Sequence, residues 1–258
     1  MFATPVEPLG PPAGFQQAVE GMHAAPDAQA RFAVVTQALG ELGIDQVNYG
    51  FFDPAAASRA EAEVIFLSTM RPDWLSYYYA RELHQLDPHV TLIRQGNVLP
   101  YRWGDAQVEA ITDDRALITA EESREAGLRS ALCVPLTGPF DPRQAVAGMT
   151  LGSSLNEQEL SRRVGSGAPY LTALAHVFHN LSLGTLLREA AGAGTLTPRE
   201  RECPSFLAAG LRPDRIAERM GLARVTIDLH LANARRRLKA RTLAEAVAKA
   251  MTYGQLTL

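Results

Sequence analysis

Scarcity organises this 258-residue chain: it has two cysteines, two lysines and two tryptophans. Cys133 and Cys203 cannot build the disulfide framework of a small secreted domain, and are expected to be free thiols in a reducing compartment. No apolar run nears the roughly 20 residues of a membrane helix, so no membrane partner is expected. The opening MFATPVEPLGPPAG lacks the charged start and apolar core of a signal peptide. Residues 1–14 read as a flexible Pro-rich lead, and the expected location is cytoplasmic. Neither Gly-rich phosphate loop is present, nor a G-x-S-x-G elbow that would make Asp87 and His89 part of a hydrolytic triad. His176 and His179 stand three apart with no acid completing a metal set. The chain is therefore read as no enzyme, with no metal and no cofactor. Its apolar content of 47% suits a folded protein.

Charge is unevenly spread. Residues 196–258 hold 12 Lys and Arg against 6 Asp and Glu, whereas the remainder holds 13 against 22. An acidic protein has gathered its positive charge on a small C-terminal domain. Such a local field is what phosphate binding needs. A basic, solvated helical appendage would show the same balance.

The helical pattern of that domain sharpens the reading. Thr197-Pro198-Arg199-Glu200 is a helix start: a hydroxyl cap, proline at the first position, and glutamate three residues after the cap. Pro204 is expected to kink or delay this helix, at a cost of ~3 kcal/mol in an ordinary helix interior. Gly210 ends it. Pro213 opens a second helix with Ile216, Ala217 and Met220 on its buried stripe, and Gly221 permits a sharp turn. A third helix follows, expected to bury Val225, Leu229, Leu231 and Leu238, and ends in a basic run. Two helices about a tight glycine turn make a helix-turn-helix.

The earlier part alternates helices and strands. Phe15–Met22 and Ala28–Leu42 have helical spacing; Gln46–Phe52 and Val64–Leu67 read as strands. Helices are expected at Pro72–Leu83, Pro88–Arg94 and Asp113–Ala126, with Val98–Trp103 extended. Ala131–Leu136 and Val146–Leu151 read as neighbouring strands about a turn at Gly138–Pro142. Glu157–Glu189 reads as mostly helical, with a break near Gly165–Pro169, and 190–195 as a small-residue linker. The order predicts an α+β protein. A mostly antiparallel sheet of about five strands carries helices on both faces, and an all-α four-helix domain follows. The domains are expected at 15–189 and 196–258.

The segment Met70–Asp105 concentrates the aromatics. It holds both tryptophans, Trp74 and Trp103, with Tyr77, Tyr78, Tyr79 and Tyr101. Trp74 and Tyr78 are four residues apart and share a helix face. With Asp87 they suit an aromatic-walled cavity for a small amphiphile carrying a lactone or amide. A stripe at this spacing equally suits a core, and Asp before Pro equally suits a helix cap.

Together the two regions resemble the LuxR-type quorum-sensing regulators over nearly the whole chain. The resemblance rests on TPRE, IAERMG, Thr226–His230 and ANARRRL, and on Trp74, Tyr78, Asp87-Pro88 and Trp103 upstream. It implies an N-terminal α–β–α sandwich that binds an N-acyl homoserine lactone, and a dimer that binds double-stranded DNA. Trp74 then matches the donor to the lactone carbonyl, and Asp87 the acceptor from the ligand amide. Tyr78 and Trp103 match the aromatic lining, and Thr150 a hydroxyl near the ligand carbonyl. Arg224, Thr226, Asp228 and His230 fall on the recognition helix, and Arg235, Arg236 and Arg237 on its basic end. Two departures stand out. Met70 occupies a position the family gives to a donating tyrosine, and Ala131 one it gives to glycine. Other readings are a regulator of the same fold that senses a different molecule or none, and a ligand-independent interaction protein.

Overall fold

The computed structural model describes residues 14–51, 65–138 and 145–256, without the side chains of residues 65, 145 and 146. The Pro-rich lead, Phe52, Val64 and most of the Gly138–Pro142 turn lie outside the described residues. The chain divides into two compact units, Met1–His179 and Asn180–Leu258.

The first unit is built on five strands: β1 (Gln46–Phe51), β2 (Ile65–Ser68), β3 (Tyr101–Trp103), β4 (Ser130–Thr137) and β5 (Ala145–Ser153). Every pairing is antiparallel and the order is β2-β1-β5-β4-β3. Side chains alternate across such a sheet, so β1 sends Val47, Tyr49 and Phe51 to one face and Asn48 and Gly50 to the other. The first face packs on helices α1 (Phe15–Ala24) and α2 (Ala28–Gly40) and on the start of α8 (Ala168–Ala190). Phe178 lies at its centre, 5.1 Å from the Tyr49 ring and 5.8 Å from Phe32. His179 is held at both ring nitrogens. Its Nδ1 meets the Tyr49 hydroxyl at 2.9 Å and its Nε2 the Thr137 carbonyl at 3.2 Å. Burial, against the pull of that carbonyl, lowers its pKa to about 4.

The opposite face is roofed by α3 (Pro72–Ala80), a 3₁₀ turn at Leu83–Gln85 and α4 (Pro88–Arg94), with α5 (Asp105–Glu109) and α6 (Asp114–Glu125) beside them. The expected helix Pro72–Leu83 stops at Ala80, and Glu82 takes a left-handed φ of 53°. Two glycines set the roof height. A Cβ on Gly148 would stand 2.3 Å from Ile93 Cδ1 of α4. One on Gly152 would meet Leu128 at 2.2 Å and the Gln46 carbonyl at 2.6 Å. The long helical region resolves into α7 (Glu157–Val164), a 3₁₀ turn at Gly165–Gly167, and α8.

The second unit is helical: the end of α8, then α9 (Pro198–Ala208), α10 (Pro213–Met220), α11 (Arg224–Arg237) and α12 (Leu243–Thr252). The Thr197 hydroxyl accepts from Glu200 N at 3.3 Å, and Glu200 accepts from Thr197 N at 3.0 Å. The capping box read from TPRE is complete. Pro204 does not interrupt α9, which runs unbroken past it with Pro204 buried. The segment 190–195 is anchored: Gly194 N donates to the Arg237 carbonyl at 2.9 Å, and Ala193 is buried.

Candidate functional site

A cavity of about 90 Å³ lies between the roof helices and the open face of the sheet. Trp74, Leu75, Tyr78 and Tyr79 come from α3, and His89, Val90 and Ile93 from α4; His84 and Asp87 lie between them. The floor is Asn48, Gly50, Phe66, Cys133, Pro135, Gly148 and Thr150, with Tyr101 at one edge. Cross-strand register explains that set. Ser68, Asn48, Thr150, Cys133 and Tyr101 are successive partners across all five strands, so one polar row crosses the floor. The adjacent row, Phe66, Gly50, Gly148 and Pro135, is apolar or lacks a side chain.

Asp87 is the one acidic residue among the described residues lining the cavity. Its Oδ1 accepts from His89 N at 2.7 Å and caps α4. Its Oδ2 accepts from the Tyr78 hydroxyl at 2.7 Å. The cap is real, and it leaves lone pairs on both oxygens for a further donor. Burial, with Asp87's charge second, raises the Tyr78 pKa and keeps its phenol protonated. Trp74 lies 6.1 Å from Tyr78, ring to ring. His89 Nδ1 meets the Tyr101 hydroxyl at 2.9 Å and Cys133 Sγ at 3.2 Å. Its buried Nε2 has no partner among the described residues. Desolvation lowers the pKa of His89 and raises those of Tyr101 and Cys133. At neutral pH the set is a neutral imidazole, a phenol and a thiol.

Five of the seven residues expected at a ligand line this cavity: Met70, Trp74, Tyr78, Asp87 and Thr150. Trp103 and Ala131 do not. They are cross-strand partners in the adjoining apolar cluster with Met70, Val108 and Leu128. Trp103 packs against the His89 ring, 4.4 Å away. Asn48, His89 and Cys133 were not expected at a ligand. For Asn48 a signal existed, since a polar residue between buried Val47 and Tyr49 belongs on the opposite face.

In the second unit, Gly221 takes a left-handed φ of 63° and turns α10 into α11. The buried stripe of α11 is Ile227, Leu231, Ala234 and Leu238. This corrects the expected one: Val225 and Leu229 are 73% and 57% exposed, on the outer side with Arg224 and Asp228. Thr226 and His230 are half-buried. Arg224 is held by Asp214, and by Asp228 at 3.1 Å. Arg235 donates to the Arg241 carbonyl at 3.0 Å, and Arg236 to Asn233. Arg237 differs, because its guanidinium grips the buried Glu200 at 2.9 Å and 3.4 Å. Burial alone would raise the Glu200 pKa, but the bonds from Thr197 and Arg237 outweigh it and lower it.

The family comparisons bear on both units. The autoinducer-binding domain model matches residues 27–181, and the LuxR-family model of bacterial regulatory proteins matches residues 194–250. This chain belongs to the LuxR family. It is 26% identical over 250 residues to the transcriptional activator SolR of Ralstonia nicotianae, covering 95% of this chain and 99% of SolR. It is 29% identical over 189 residues to RpaR of Rhodopseudomonas palustris, a quorum sensing-dependent regulator, covering 72% of each. The crystal structure of Escherichia coli SdiA shares the fold, with a TM-score of 0.52 at 18% identity over 95% of this chain and 98% of that one. SdiA has also been solved in complex with octanoyl-rac-glycerol, with a TM-score of 0.51 at 17% identity over 93% of each chain. This LuxR-family protein is a ligand-responsive transcription regulator with an autoinducer-binding domain and a helix-turn-helix. No described helix is long and apolar enough to cross a membrane, and no described cluster of His, Cys, Asp and Glu could hold a metal.

Proposed function

We propose that this regulator binds an N-acyl homoserine lactone in the cavity under α3 and α4. It would then act on transcription as a homodimer on double-stranded DNA. One observation carries the reading: Trp74, Tyr78 and Asp87 converge on one aromatic-walled cavity with a single carboxylate in its described lining. Trp74 would donate to the lactone carbonyl, and Asp87 would accept from the amide N–H in a charge-assisted bond. Tyr78 aims that carboxylate. Met70 and Thr150 flank the acyl group, while Trp103 and Ala131 pack beside the floor in the adjoining cluster.

The sensor is assigned to residues 15–189 and the reading domain to 196–258, joined by 190–195. Arg224, Thr226, Asp228 and His230 would face base edges, and Arg235 and Arg236 phosphates. A dimer reads two half-sites about one helical turn apart. The test is thermal melting of the full-length protein with a panel of acyl and aryl homoserine lactones. A ligand that binds only the native state raises the melting temperature with concentration. If no lactone does so, the ligand assignment fails, and the regulator senses another molecule or none.

A further inference from the structure

The cavity offers an acceptor on its roof and donors on its floor. The roof acceptor is Asp87. The floor donors are less obvious, and the side-chain chain at Asn48 reveals them. Ser68 Oγ accepts from Met70 N at 2.9 Å, so its own proton must go elsewhere, and it goes to Asn48 Oδ1. That bond fixes the Asn48 amide with its NH₂ turned away from Ser68. The orientation is confirmed by the neighbour on the other side, because Asn48 Nδ2 lies 3.4 Å from Met70 Sδ, and a thioether accepts but does not donate. One N–H of Asn48 therefore rests on a weak acceptor, and the other has no protein partner among the described residues. Thr150, which also lines the cavity, is the cross-strand partner of Asn48 on the same face. Directly opposed residues hold their Cβ atoms within about 5.5 Å of each other. The Thr150 hydroxyl bonds the Cys133 sulfur, a weak acceptor from which it can turn, so an oxygen lying between the two side chains can accept from both.

We propose that Asn48 is a specificity-determining residue, whose amide joins the Thr150 hydroxyl to bind a carbonyl oxygen of the ligand. A carboxylate above and two donors below suit a trans secondary amide, which presents N–H and C=O in opposite directions. The site then reads both ends of one amide group. Met70 contributes by polarity alone: its sulfur is too poor an acceptor to consume the Asn48 amide.

This inference rests on the lactone reading, and its test separates the two. Binding of N-hexanoyl homoserine lactone and its thioamide analogue to the full-length protein is measured by calorimetry, for wild type, Asn48→Leu and Thr150→Val. The thioamide keeps the shape and the N–H but weakens the acceptor. Wild type should prefer the amide, and Asn48→Leu should cut that preference about three- to tenfold, the size of one neutral hydrogen bond. Thr150→Val, nearly isosteric, should cut it in the same direction and carries the test if Asn48→Leu does not fold. A preference unchanged in the variants overturns the role of Asn48 while leaving the lactone reading intact. Failure of wild type to bind either compound overturns both.

Discussion

Replacing Asp87 by Asn separates the helix cap that its carboxylate makes from the ligand contact proposed for it. Asn caps helices nearly as well as Asp, so the 2.7 Å bond from His89 N to Oδ1 should survive. At the other oxygen the exchange is less benign. The Tyr78 hydroxyl now donates to Oδ2 at 2.7 Å, and an amide NH₂ placed there forces the phenol to accept instead. The free protein should lose about 1 kcal/mol, one neutral hydrogen bond. Ligand binding should lose more. A bond to a charged group contributes about 1.5–3 kcal/mol and a neutral one about 0.5–1.5, so the difference is ~1–1.5 kcal/mol. That corresponds to a roughly five- to tenfold weaker Kd. Calorimetry with N-hexanoyl homoserine lactone gives the affinity, and thermal melting without ligand gives the stability. Tyr78→Phe is the companion variant. It leaves Asp87 charged, so it should weaken the ligand less than Asp87→Asn does. An unchanged Kd for Asp87→Asn, with the cap intact, would refute the carboxylate's role in the cavity and leave Asp87 as a helix cap alone.

Other consequences follow from particular contacts. Arg237→Ala strands the buried Glu200, so it should lower the melting temperature by an amount equivalent to roughly 1–3 kcal/mol, whereas Arg236→Ala should leave melting unchanged and weaken DNA binding. Asp228→Ala removes one of the two acids holding Arg224; fluorescence anisotropy on a duplex should show tighter binding at low salt and a salt slope steeper by up to about 1. Gly152→Ala drives a methyl against the Gln46 carbonyl, which cannot yield as a side chain would, and should cost about 1–3 kcal/mol in chemical denaturation. His179 has a folded pKa of about 4, below the ordinary 6.5, so the unfolded chain binds the extra proton between those values; stability from this group is full above about pH 6.5 and falls toward pH 4, and His179→Gln should flatten that limb of a stability–pH curve.

Features that depend on short sequence separations were legible beforehand. The Thr197–Glu200 capping box, the Gly221 turn and the strand β1 are all written within a few residues, and each is found where expected. Pro204 shows the opposite. A local cost was expected there, yet α9 runs unbroken through Pro204, which is buried. Val225 and Leu229 show a second failure. Apolar residues were assigned to the buried stripe of α11 by their chemistry, yet the spacing of Ile227, Leu231, Ala234 and Leu238 defines the inner face. The two left over are large apolar side chains on the exposed side of a helix that also carries Arg224. Against DNA such side chains can meet thymine methyl groups, which gives their exposure a use.

The cavity divides the same way. Its roof comes from one continuous stretch, so helical spacing alone placed Trp74 and Tyr78 together and put Asp87 at the next helix start. The polar row of its floor comes from strands whose paired residues there are 17 to 102 positions apart in the chain, joined by register. No local pattern announces that Asn48 stands opposite Thr150, or that Thr150 stands opposite Cys133. This is why Asn48 and Cys133 of the floor were not expected at the cavity, whereas Trp74, Tyr78 and Asp87 of the roof were. It also explains why Asp87 had two readings that looked exclusive. A helix cap is a local property and a pocket acceptor a non-local one, and a carboxylate with two oxygens has room for both. The Tyr78 bond joins them: the same side chain that starts α4 is steered by α3, so whatever a ligand does to Asp87 is felt at once by both roof helices.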